Sequence, residues 1–197
     1  AHPGLRLQVK VNDRPVNPVT EGLDVVIIGG RLSDSSLIAR KLADVRPVLV
    51  ASEAYLAEHG EPKVPQDLAR HESLLFAREP PQTSWVLTDS TGRQHVVPVV
   101  GRFEADDGRT LMDGLAAGLG IGLTSPRIMR AIPTLRRVLP DYTLGGFPLY
   151  AIYPASRQRS PRLQAVVSAL RASLEQSMRD LNAVSYTHLR AHETDTD

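Results

Sequence analysis

Asp24-Val-Val-Ile-Ile-Gly-Gly30 sets four consecutive β-branched residues against a glycine pair. Such side chains stiffen the backbone into an extended form and leave no polar position for a solvated face. The run has the pattern of a parallel strand buried on both faces, so the chain must place structure on either side of it. The next residues, Arg31-Leu-Ser-Asp-Ser-Ser36, open three readings: a phosphate-binding loop, a catalytic serine turn, or the lip of a binding site.

The neighbouring patterns favour an α/β chain. Residues 5–13 alternate Leu5, Leu7, Val9 and Val11 with Arg6, Gln8, Lys10 and Asn12, which predicts a strand with one buried face. Residues 14–22 carry Pro15, Pro18 and Gly22 and predict a short helix or turn, making strand, helix and strand a βαβ unit. Residues 37–52 read as extended, and Ser52 is placed to cap a helix that Gly60 stops, with a second short helix over 64–71. Strands are expected in 74–77, 85–89 and 95–105, with Asp89 to Gly92 as a hairpin turn. Asp106 or Asp107 caps a helix over 108–120 whose Leu111, Leu115 and Leu119 share a face. Residues 121–126 and 148–154 each hold a strand. Ser160-Pro161 then opens a helix with Leu163, Val167, Leu170, Leu174 and Leu181 at helical spacing. The alternation predicts mostly parallel sheets.

Composition removes several classes of chemistry. With no cysteine among 197 residues there is no disulfide, thiolate metal site or cysteine nucleophile. No apolar run approaches the roughly 18 residues that span a bilayer, and no basic-then-apolar signal segment opens the chain. The start Ala-His-Pro-Gly, without methionine, reads as the interior of a longer product. An excess of arginine over lysine suggests a GC-rich genome.

The motif readings are mostly structural. Gly29-Gly30 lacks the spacing of a dinucleotide loop and leads into extended chain. Gly118, Gly120 and Gly122 end a helix and permit close packing. Ser35 and Ser36 have no paired base, since His59, His71 and His95 sit at helix ends or in a hairpin. Asp106 and Asp107 are sequence neighbours whose side chains point apart, which suits capping better than paired acid and base work. Trp85 is expected in the core with its indole N–H bonded to backbone, and Arg157, Arg159 and Arg162 at a solvated helix start. No catalytic residue, metal ligand set or cofactor site is assigned.

The tail stands apart, because residues 184–194, VSYTHLRAHET, resemble a translated sequencing-library adapter. His188 and His192 have helical metal spacing but lack a third ligand. Without residues 184–197 the formal charge rises from +1 to about +3, far from a nucleic-acid-binding footprint.

Several blocks in series resemble one family: VNDRPVNPVTEGLDVVI, GGRLSDSSLIARKL, VLVASEAYLAEHGEPKVPQDLARHESLLF, DGRTLMDGLAAGLGIGLTSP and PLYAIYP. Together they are similar to the effector-binding domain of LysR-type bacterial transcription regulators, over essentially residues 1–183. The resemblance implies a periplasmic-binding-protein-like α/β fold, two α/β lobes joined by two crossover strands. Lobe I would comprise 1–46 and 144–183, incomplete for want of its first strand and helix; lobe II would comprise 47–143, and 184–197 would be a non-native tail. Residues 37–47 look like the first crossover and 141–147 like the return.

It also implies a cytoplasmic protein that binds a small-molecule effector between its lobes and forms a homo-oligomer, a dimer or tetramer when intact. DNA would be bound only through an N-terminal helix-turn-helix domain absent here, and no membrane contact is expected. In open α/β sheets ligands sit beyond the carboxyl ends of strands. By that rule and the resemblance together, the candidate effector contacts are Asn12, Asp13, Arg14, Ile28, Gly29, Asp106, Asp107, Gly108, Thr124 and Ser125. The chain departs at Ile28, where similar members commonly carry arginine in D-V-A-I-R-x-G, which weakens the expectation of a carboxylate ligand unless Arg14 or Arg31 substitutes. The alternative is a free-standing solute-binding protein of a transport system, with the same two lobes.

Overall fold

The computed structural model describes residues 4–11, 16–30, 32, 36–77 and 81–191, with side chains described as far as residue 176. In chain order the strands and helices are β1 (Val26–Gly29), β2 (Ile38–Val45), β3 (Val48–Ser52), α1 (Glu53–His59), β4 (Ser73–Phe76), β5 (Ser84–Thr88), β6 (Gln94–Pro98), β7 (Phe103–Ala105), α2 (Gly108–Ala116), β8 (Ile121–Thr124), α3 (Pro126–Ala131), β9 (Leu135–Arg137), β10 (Thr143–Leu144), β11 (Phe147–Tyr153) and α4 (Pro161–Ala191). Short 3-10 turns occupy Pro65–Arg70 and Ala155–Arg157. The chain forms two compact units, Ala1–Val45 with Phe147–Asp197, and Arg46–Gly146.

The first unit is a three-stranded sheet in the order β1-β11-β2, antiparallel throughout. Helix α4 packs on one face, where Leu42, Ala151, Tyr153, Leu163 and Val167 are buried together and Leu174 adds partial cover. Ser160 Oγ accepts from the Leu163 N–H at the start of that helix, as the Ser-Pro signal predicts.

The second unit is built on a five-stranded sheet in the order β7-β4-β8-β3-β9. Every residue of β3 is buried, and alternate side chains enter different cores. Leu49 and Ala51 meet Tyr55, Leu75, Ile121 and a second sheet, β10-β5-β6, which contributes Trp85, Leu87 and Val97. Val48 and Val50 pack with Leu74, Leu111, Leu115 and Leu135 under α2. The caps fall where the sequence puts them. Ser52 Oγ accepts from Tyr55 N–H, and Gly60, at φ 81°, ends α1. Asp89 accepts from the N–H groups of Thr91 and Arg93 in the β5–β6 hairpin.

Several expectations are overturned. Residues 5–11 form no strand, and Leu7, Val9 and Val11 are exposed; alternation supplies a face but not a backbone partner, and no strand of that unit pairs with this segment. The run β1 is antiparallel to β11 on one side only, with Val26 buried and Ile27 exposed. No βαβ unit forms there, because an apolar run signals burial and not strand direction. Parallel pairing is confined to β4 with β7 and β4 with β8, so the sheets are mostly antiparallel. Leu119 is exposed because α2 ends at Ala116 and Gly118, at φ 83°, turns the chain away. Trp85 is buried as expected, yet its Nε1 has no acceptor among the described residues.

The described anchors of α4 end at Leu174, ahead of the adapter-like residues. Truncation after Ala183 is therefore expected to leave the thermal midpoint unchanged in a melting experiment. A clear drop would make the tail part of the fold.

Candidate functional site

Strand direction brings half of the candidate residues to one edge. Because β7, β4 and β8 run parallel, their carboxyl ends emerge together, while the antiparallel β3 begins there. Ala105 pairs with Phe76, and Thr124 pairs with Val48. Leu74 pairs with Gly122, and from there the two parallel strands run on to Phe76 and Thr124 at the same edge. The edge thus reads Ala105, Phe76, Thr124, Val48. Strand alternation turns all four toward the face covered by α2, the face of Leu74 and Val50.

Asp106, Asp107 and Gly108 follow β7, and Ser125 follows β8 at this same edge. Asp107 is the N-cap of α2. Its carboxylate accepts from Arg109 N–H at 3.2 Å and Thr110 N–H at 2.8 Å, and from the Thr110 hydroxyl at 2.7 Å. The Thr110 hydroxyl first, then these backbone donors, hold the Asp107 carboxyl below the usual range. Asp106 is exposed and is not the cap. Ser125 caps α3, accepting from Ile128 N–H at 3.3 Å. Thr124 differs from its neighbours: it is 6% exposed, and its Oγ1 has no partner among the described residues. A buried hydroxyl left unpaired costs roughly 1–3 kcal/mol, so this is a position where a ligand or water would recover lost hydrogen bonding.

Ile28 and Gly29 lie in the first unit, where Ile28 pairs with Tyr150 and Gly29 with Leu149. By alternation Ile28 sits on the face opposite Ala151 and α4, half-buried. A Cβ at Gly29 would meet the Phe147 ring at 2.9 Å, and Gly30, at φ 93°, turns the chain after the strand. Asn12, Asp13, Arg14 and Arg31 lie outside the described residues, as do Ser33, Asp34, Ser35 and His192.

Sequence reading missed Phe76, recognised only as part of a strand. Its role depends on strand order, for which the sequence carries no signal. His71 is half-buried, with Nδ1 3.1 Å from the Tyr55 hydroxyl, whose oxygen accepts from Glu72 N–H at 3.0 Å. Burial pushes the His71 imidazole down. This network ties α1 to the start of β4, at the end of that strand away from Thr124. Among the described residues no three His, Cys, Asp or Glu side chains are grouped to hold a metal. No helix among them is long and apolar enough to cross a membrane.

Residues 1–175 match the LysR substrate binding domain. The chain belongs to that family, as the resemblance of its sequence blocks implies. It is 31% identical over 174 residues to the HTH-type transcriptional activator AaeR of Escherichia coli, covering 86% of this chain and 55% of that protein. To the HTH-type transcriptional regulator CrgA of Neisseria meningitidis it is 28% identical over 176 residues, covering 86% and 57%. The full-length structure of the Vibrio cholerae virulence activator AphB superposes with a TM-score of 0.69 at 26% identity, covering 87% of this chain and 59% of that one. The regulatory domain of CrgA gives 0.67 at 29% identity, covering 79% and 78%. The chain therefore has the periplasmic-binding-protein-like α/β fold, and it spans about half the length of the curated relatives it matches.

The edge generates two expected outcomes. Thr124→Val removes the unpaired hydroxyl at nearly constant shape and is expected to stabilise the domain by roughly 1 kcal/mol, about 2–4 °C in thermal midpoint. A lowered midpoint would mean that the hydroxyl is bonded in solution. Asp107→Ala is expected to lower the midpoint at neutral pH. Because the folded carboxyl is depressed, its stabilisation is present above the unfolded value near 3.9 and lost as pH falls through the folded value. The gap between wild type and variant should accordingly narrow in melts as the pH is taken progressively below the unfolded value.

Proposed function

We propose that this chain is the effector-sensing and oligomerisation module of a LysR-type DNA-binding transcription regulator. The family match over residues 1–175 carries the role, and the unpaired Thr124 hydroxyl at a shared strand edge supports a binding position. A small molecule that binds one conformation better shifts the population toward it, and in the intact protein that shift reaches the DNA contact. Asp106, Asp107, Gly108, Thr124 and Ser125 form the proposed effector wall in the second unit. Asn12, Asp13, Arg14, Ile28 and Gly29 are the proposed contacts from the first.

The relatives are named as transcriptional regulators, so no reaction is assigned to this chain. DNA would be held by a helix-turn-helix segment encoded upstream of Ala1, the intact protein would be a cytoplasmic dimer or tetramer, and no membrane or cofactor enters the proposal. The regulator names favour this reading over a transport-system solute-binding protein. The upstream coding sequence separates the two: a helix-turn-helix region supports the regulator, and a signal peptide overturns it.

The functional prediction is a ligand-dependent melt. A cognate metabolite present at one hundred times its Kd should stabilise the domain by about 2.7 kcal/mol through linkage. A broad metabolite panel that leaves the midpoint unmoved would count against effector sensing.

A further inference from the structure

We propose that the wall at the Thr124 edge selects a largely apolar ligand bearing an uncharged hydrogen-bonding group, an amide, carbonyl or hydroxyl, and discriminates against a carboxylate. The inference rests on the effector-binding reading and specifies its ligand class.

Four residues face the α2 side across the edge, and three of them, Ala105, Phe76 and Val48, are apolar. Phe76 is 39% exposed, an aromatic side chain at the same edge as the one hydroxyl in the row. Thr124 Oγ1 is that row's only polar side-chain atom, and it is unpaired. A hydroxyl both donates and accepts, so it matches a neutral polar group without adding charge. Oγ1 is covered in the structure, and a ligand that reaches it must displace its cover.

An anion would ordinarily be drawn to the two helix starts at this edge. Most of their N–H groups are already used. In α2 the N–H groups of Arg109 and Thr110 donate to the Asp107 carboxylate, and Leu111 N–H donates to the Asp107 carbonyl. The negative charge that a ligand would bring is therefore already present, with the exposed Asp106 carboxylate beside it. In α3 the first residue, Pro126, has no N–H, Ile128 N–H donates to Ser125 Oγ, and Met129 N–H donates to the Ser125 carbonyl. Among the described residues the cations nearest in sequence to the edge, Arg46, Arg109 and Arg127, are all exposed, and Arg78, two residues beyond Phe76, lies outside them. The charge of Arg109 acts on Asp107, where it helps to keep the carboxyl ionised. Exposed arginines are well solvated and screened, so they compensate weakly for the repulsion a carboxylate meets at the Asp107 cap.

The test uses nearly isosteric probe pairs, one neutral and one anionic: benzamide with benzoate, nicotinamide with nicotinate, and butyramide with butyrate, each titrated at millimolar concentration into the whole chain. The readouts are the thermal midpoint and the amide resonances of Thr124 and Asp107. At least one amide should raise the midpoint and shift Thr124, binding about tenfold or more tighter than its carboxylate twin. Thr124→Val should weaken amide binding and so narrow that preference from the amide side. Asp107→Asn, which keeps a cap while removing the charge, should narrow the discrimination mainly by improving carboxylate binding. A carboxylate that binds as tightly as its amide, with Thr124 shifted, overturns the ligand class and leaves effector binding standing. If no probe moves either readout and the metabolite panel also fails, the ligand class falls together with effector binding.

Discussion

The second unit depends on the complete burial of β3. Val48, Leu49, Val50, Ala51 and Ser52 all lie inside, and their alternation divides the interior in two. Burying a valine or leucine side chain contributes about 1.5–3 kcal/mol. A strand that feeds apolar side chains into cores on both faces cannot slip by one residue without exchanging them. Glycines let the neighbours close in: a Cβ at Gly122 would meet Leu115 at 3.1 Å, and one at Gly120 would meet the Glu72 carbonyl oxygen at 2.4 Å. The register of β8 against β3 follows from this packing.

That register creates the candidate site. Pinning β8 beside β3 sets Thr124 against Val48, and parallel pairing through β4 brings Phe76 and Ala105 to the same edge. The connections leaving β7 and β8 are short and self-capped, with Asp107 closing the start of α2 and Ser125 that of α3. Rigid strands hold the wall, and the caps settle which hydrogen-bonding groups remain for a ligand. One buried polar atom left without a partner stands out because almost all of its neighbours are satisfied.

Much of this architecture was legible in the residues. Ser52 and Gly60 bounded α1, the pair Asp106 and Asp107 marked the start of α2, Ser160 and Pro161 began α4, and Asp89 to Gly92 closed a hairpin, each through local hydrogen bonding or backbone freedom that a sequence displays. The blocks from residue 11 to residue 154 also carried the family, because motif order survives where identity does not. Strand direction was not legible. The β-branched run at β1 looked parallel and doubly buried, yet it pairs antiparallel with a strand more than a hundred residues away and has one neighbour. The alternating residues 5–11 displayed a strand's pattern without a partner to bond. Trp85 had a predictable place, but whether an acceptor would stand beside its indole depended on the fold.

By itself the sequence determined the local punctuation, the apolar side chains that must be buried, and the family to which their order belongs. It also supplied the polar residues beyond strand ends from which a binding site could be drawn. Only the tertiary structure decided which of those residues meet, placing Thr124 with Phe76 and the Asp107 cap at one edge while Ile28 and Gly29 end a strand of the other unit. The reason is physical: capping and burial preference act over a few residues and are written in residue type. Strand order and direction are set by packing between segments far apart in the chain, a property of the assembled core.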